Sequence, residues 1–119
     1  MKKILAIDFD GTIVEDRFPG IGKMIPGAKS VINSFYEEGN TVIIWTSRTG
    51  ADLERAKAWL NENGIKYHYI NESCPDNVAQ FGGTDTRKIF ADIYIDDKGL
   101  VPLPPDWWKI GDMIIDKIM

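Results

Sequence analysis

Short apolar runs alternate with helical patterns along this chain, and that alternation limits the fold more than any other feature. KILAID (residues 3–8) and TVIIWT (41–46) are nearly continuous apolar runs, as expected of strands buried on both faces. KYHYI (66–70) is shorter, aromatic and more polar, which places it nearer a sheet edge. DIYIDD (92–97) is a fourth strand ending in two carboxylates. Between the runs, residues 28–38 carry Val31, Ile32, Phe35 and Tyr36 at helical spacing, with Gly39 to end the helix. Residues 50–63 carry Leu53, Ala56, Lys57 and Leu60, with Trp59 beside them, before an Asn63-Gly64 stop. After Pro104-Pro105, Asp106 caps a last helix through Ile118, with Trp107, Ile110, Ile114 and Ile118 on one stripe. Strand–helix alternation of this kind predicts an α/β fold: a three-layer sandwich around a mainly parallel sheet of four or five strands, with right-handed crossovers.

A chain of 119 residues is expected to form one domain over 1–119. Its 44% hydrophobic and 27% charged residues describe a globular protein rather than a disordered one. A net charge of −4 repels polyanions, so nucleic acid is not an expected partner. Cys74 is the only cysteine; no internal disulfide can form, which fits a reducing, cytoplasmic setting. Asp8 interrupts the apolar run after Lys2-Lys3, against a signal peptide. No run approaches the roughly 18 apolar residues of a membrane span. Asn71-Glu72-Ser73 matches a glycosylation acceptor by chance. His68 reads as a strand side chain, and Trp107-Trp108 as packing of the last helix on the sheet; an exposed tryptophan there would suggest a dimer contact.

In parallel α/β sheets, ligands bind beyond the carboxyl ends of the strands. Asp8 and Asp10, Thr46, and Asp96 and Asp97 all fall at those ends. Four carboxylates meeting at one edge repel one another unless a cation joins them. A hard dication such as Mg²⁺, held by one or two carboxylates, waters and a phosphate, is the simple remedy. Thr46 and Ser47 lead into the second helix, whose first N–H groups attract phosphate. Arg48 is placed to hold a further anionic group bidentately, and Arg87-Lys88 precedes the fourth strand. Such parts suit phosphoryl transfer, with Asp8 attacking phosphorus and Asp10 serving as acid and base. Gly11 lets the backbone turn tightly past the phosphate. Gly22-Lys23 is followed by Met24 and lacks the upstream glycine, so a nucleotide P-loop is excluded.

DFDGT at residues 8–12 resembles the first motif of the haloacid dehalogenase-like phosphohydrolases. A D-x-D-G-T match arises by chance in roughly one chain per thousand of this length. Thr46 then resembles the second motif, Lys88 the third (with Arg87 adjacent) and IDD at 95–97 the fourth, so the resemblance covers nearly the whole chain. It implies Asp8 as nucleophile, Asp10 as acid/base, and Mg²⁺ held by Asp8, the Asp10 carbonyl and an aspartate of the fourth motif, either Asp96 or Asp97; we read Asp96 as the direct ligand and Asp97 as acting through water. It further implies hydrolysis of a phosphate monoester, from a phosphorylated small molecule, through an aspartyl-phosphate. An aspartate at position 10 resembles the phosphatases of that family rather than its transport ATPases, since rapid hydrolysis needs a general base. Neither inter-motif interval has room for a cap domain. Residues 15–26 would be the family's short flap and 71–86 a partial lid, with Arg17, Lys23, Arg48, Asn77 and Phe81 as candidate substrate contacts. Two alternatives are a phosphoacceptor receiver-like signalling domain, against which the motif order speaks, and a non-catalytic binding domain of the same fold.

Overall fold

The computed structural model describes residues 2–119. Its elements run β1 (Ile4–Ile7), α1 (Ala28–Glu37), β2 (Thr41–Ile44), α2 (Gly50–Glu62), β3 (Tyr69–Ile70), α3 (Pro75–Gln80), β4 (Ile93–Ile95) and α4 (Trp107–Ile118). The four strands form one parallel sheet in the order β3-β2-β1-β4. The chain winds outward from β1 through β2 to β3, then returns to place β4 on the other side of β1. The point where strand order reverses is therefore between β1 and β4, the position where open α/β sheets leave a crevice for ligands.

Side-chain alternation divides the core unevenly. Leu5 and Ile7 of β1, Val42 and Ile44 of β2 and Ile95 of β4 share one buried cluster with Ile32 and Phe35 of α1, Ala56 and Leu60 of α2, and Trp107, Ile110 and Ile114 of α4. The three long helices thus cover one face. The opposite face, with Ala6 and Ile43 buried, is covered by Ile89, Ala91 and Cys74 of the segment that contains α3. The result is a three-layer α/β sandwich with one thick and one thin outer layer. No cap domain interrupts it among the described residues.

Local chemistry explains the element ends. The Asp106 carboxylate accepts the Lys109 N–H at 2.9 Å and caps α4. Gly27 precedes α1 at φ +83°, and a Cβ there would press on the Trp108 ring. Trp107 is fully buried whereas Trp108 is largely exposed, so only the first of the pair packs into the core. β3 is shorter than its sequence suggests. The Val42 N–H donates to His68 Nδ1 at 3.0 Å, so a side chain takes up the ladder bond just before the strand begins. α3 lies where a loop was expected: six residues with Pro75 at the first turn and no buried side chain carry no periodic signal. Residues 15–26 fold back as a flap, with the Glu15 N–H on the Lys23 carbonyl and the Ile25 N–H on the Ile13 carbonyl, both at 2.8 Å. Among the described residues, no helix is long and apolar enough to cross a membrane.

Candidate functional site

Parallel register sets Ile7 of β1 beside both Ile44 of β2 and Ile95 of β4. The next residues of β1 and β4 are therefore Asp8 and Asp96, side by side at the switch point. Asp8, Asp96 and Asp97 each offer a carboxylate oxygen, and the three oxygens lie within 4.8 Å of one another. Burial, the hydrogen bond to Asp97 and the charges of Asp96 and Asp97 push the Asp8 carboxyl up to about 8, against a weaker opposing hydrogen bond from Thr12. An all-oxygen, triply acidic donor set fits a hard dication of the Mg²⁺ kind.

Thr12, in the expected motif but given no role by the sequence, is the hub of this cluster. It is 1% exposed. Its hydroxyl lies 3.2 Å from Asp8 Oδ2 and 3.3 Å from Asp97 Oδ1, and accepts the Asp97 N–H at 3.1 Å. A single hydroxyl proton serves one carboxylate at a time. The Thr12 carbonyl accepts the Trp107 indole N–H at 2.8 Å, which ties the motif to α4. Gly11 has φ +86°, and a Cβ there would overlap the Asp97 carboxylate. Its glycine character thus serves the approach of Asp97, where the sequence had suggested the approach of phosphate.

Asp10 lies apart from the trio. Arg48 grips its carboxylate with Nε on Oδ2 and Nη2 on Oδ1, both at 2.7 Å. The guanidinium's remaining N–H groups reach the carbonyls of Gly20 (2.8 Å), Pro19 (3.1 Å) and Asp52 (3.3 Å). All five donors are engaged, and the group lies 5.0 Å from the Phe18 ring and 5.4 Å from the Phe9 ring. Arg48 was expected to reach substrate. Its side chain is 1% exposed and instead binds Asp10, the flap and the first turn of α2 into one unit.

Thr46 lies two residues past β2. Its N–H donates to Asn71 Oδ1 at 2.8 Å and its hydroxyl accepts the Arg48 N–H at 3.2 Å. Thr46 and exposed Ser47 line a cavity of about 310 Å³ with Asp8, Asp10, Asp16, Phe18, Arg48, Asp96 and Lys98. Of the expected site residues, Asp8, Asp10, Thr46, Ser47, Arg48 and Asp96 thus converge there, with Asp97 beside Asp8 and Asp96. Lys88, Asn77, Phe81, Arg17 and Lys23 do not. Lys88, Asn77 and Phe81 line a larger cavity of about 470 Å³ beside α3, where the Lys88 ammonium sits 5.2 Å over the Tyr94 ring. Arg17 is exposed, 3.6 Å from Glu15. Lys23 is exposed on the flap, and neither lines the cavity of Asp8. Lys98, which sequence reading passed over, does line it; its position directly after the second acidic pair was the available signal.

The chain is an uncapped parallel α/β domain with an acidic cluster at its switch point. It belongs to the same family as a conserved protein of Bacteroides thetaiotaomicron, whose structure it matches at 36% identity and a TM-score of 0.86, over 98% of this chain and 93% of that one. No family model and no curated protein matches the chain.

Proposed function

We propose that this protein is a Mg²⁺-dependent phosphatase of the haloacid dehalogenase-like kind, hydrolysing a phosphate monoester through an aspartyl-phosphate. The observation that carries this reading is the convergence of Asp8, Asp96 and Asp97 carboxylate oxygens within 4.8 Å at the switch point, with Asp8 and Asp96 in a cavity wall shared with Asp10, Thr46 and Ser47.

Asp8, Asp96 and Asp97 would hold the dication, which when bound supplies charge neutralisation for the phosphoryl group. A neutral Asp8 is no nucleophile, so its raised pKa fits a residue that ionises when a cation joins the trio. An Asp8 oxygen attacks phosphorus, the bond to the leaving oxygen breaks, and Asp10 protonates that oxygen. Asp10 then takes a proton from water, whose oxygen attacks phosphorus and frees Asp8 and orthophosphate. Each Asp10 oxygen accepts one bond from Arg48 and keeps a second lone pair for this traffic. The Thr46 and Ser47 hydroxyls supply donors for phosphate oxygens. The receiver-like alternative fits less well: that order places the third strand beside the first, whereas here β4 takes that place.

The test is a panel of phosphate monoesters with Mg²⁺ and with EDTA, on wild type and Asp8→Asn. Turnover is expected only for wild type with metal. Undiminished turnover by Asp8→Asn would remove the nucleophile assignment, and equal turnover in EDTA the metal assignment.

A further inference from the structure

The geometry points to Lys98 as the cation that receives the substrate's phosphate, an inference that rests on the phosphatase reading. The cavity containing Asp8 is lined by four carboxylates, Asp8, Asp10, Asp16 and Asp96, and by two cationic side chains, Arg48 and Lys98. A phosphate dianion entering it meets strong repulsion, and one dication offsets only part of that charge. Arg48 has no N–H to give: all five are spent on Asp10 and three carbonyls. Lys88 lines the other cavity, over Tyr94.

Lys98 has what both lack. Its backbone N–H donates to Asp96 Oδ1 at 2.9 Å, so the turn that shapes the acidic pair also fixes the root of the lysine. Its Nζ stands 3.8 Å from Asp97 Oδ2 and 3.9 Å from Asp16 Oδ2, close enough for attraction and too far for a hydrogen bond to either. The side chain is 75% exposed. Three ammonium donors are therefore free at the cavity wall, between the flap and the fourth-strand turn. A compact, mobile ammonium suits a phosphate that must arrive and leave. Asp16 keeps the ammonium over the cavity when no phosphate is there.

The experiment compares wild type, Lys98→Met and Lys98→Arg in Mg²⁺. It measures KM and kcat on p-nitrophenyl phosphate, and the dissociation constant of orthophosphate by calorimetry. Because the side chain is exposed, each variant is expected to fold with an unchanged melting temperature. Lys98→Met should raise KM and the orthophosphate dissociation constant about ten-fold, the scale of one charge-assisted hydrogen bond, with Lys98→Arg recovering most of the loss. If wild type turns over and Lys98→Met binds orthophosphate as tightly, the Lys98 assignment is overturned and the phosphatase reading stands. If wild type neither turns over any phosphate monoester nor binds orthophosphate, both are overturned.

Discussion

Arg48 holds Asp10 by two parallel bonds of 2.7 Å across 38 residues of sequence, and the same guanidinium closes on the carbonyls of Pro19 and Gly20. The proposed acid/base is therefore bound to the flap that borders its cavity. The Asp10 side chain is 16% exposed and that of Arg48 only 1%, so the pair is shielded from the solvent screening that weakens surface ion pairs.

Removing one partner of this pair leaves the other uncompensated. Arg48→Ala is expected to lower unfolding free energy by about 3–5 kcal/mol, measured by urea denaturation. Arg48→Lys keeps the charge but loses the fork, and should recover only part of that loss. Orthophosphate affinity in Arg48→Lys should fall far less than kcat, because Arg48 meets Asp10 rather than the ligand.

Asp8 sets a pH dependence. Its folded-state pKa is raised from 3.8 to about 8, so the folded protein holds this proton more tightly than the unfolded chain. The stability it contributes is full below 3.8 and is lost as pH rises towards 8. In EDTA, the melting temperature of wild type relative to Asp8→Asn should fall across that window. Added Mg²⁺ should stabilise wild type increasingly over the same range. At pH 7 its binding should release a proton, visible as a calorimetric enthalpy that depends on the buffer.

Gly11→Ala brings two faults together. Its φ of +86° is unfavourable for an L residue, and the new methyl would displace the Asp97 carboxylate. The strain is expected to cost about 1–3 kcal/mol of stability. Weaker Mg²⁺ binding should accompany it, read as a smaller metal-induced rise in melting temperature than in wild type.

Thr12→Val keeps the shape and removes the hydroxyl. The Asp97 N–H then loses its acceptor, and the expected cost is about 1–3 kcal/mol. With the Thr12 clip gone, the Mg²⁺ response should weaken as well. An unchanged response would show that the carboxylates hold their positions without it.

Much of the fold was legible because it follows from near neighbours in sequence. The periodicity of residues 28–38 and 50–63 matched α1 and α2 to within one residue at their ends, and Asp106 capped α4 as its position suggested. The short elements were less legible. β3 depends on how the His68 imidazole meets Val42, and α3 is too short and too polar to stand out from a loop.

By itself the sequence determined the order of the four strands and the three long helices, the uncapped three-layer plan and the carboxylates that end β1 and β4, since period and position along a strand need no distant partner. The tertiary structure decided what those carboxylates touch. Asp8 gained Asp97 and Thr12, and Asp10 gained Arg48. Lys88 was drawn to a different cavity while Lys98 came to the site. The physical reason is reach: a side chain's partner is whatever the fold brings within about 3 Å, and here Thr12 and Asp97 meet across 85 residues. No local pattern carries that information, so DFDGT showed where a site would form and the packing of β4 against β1 set what it is made of.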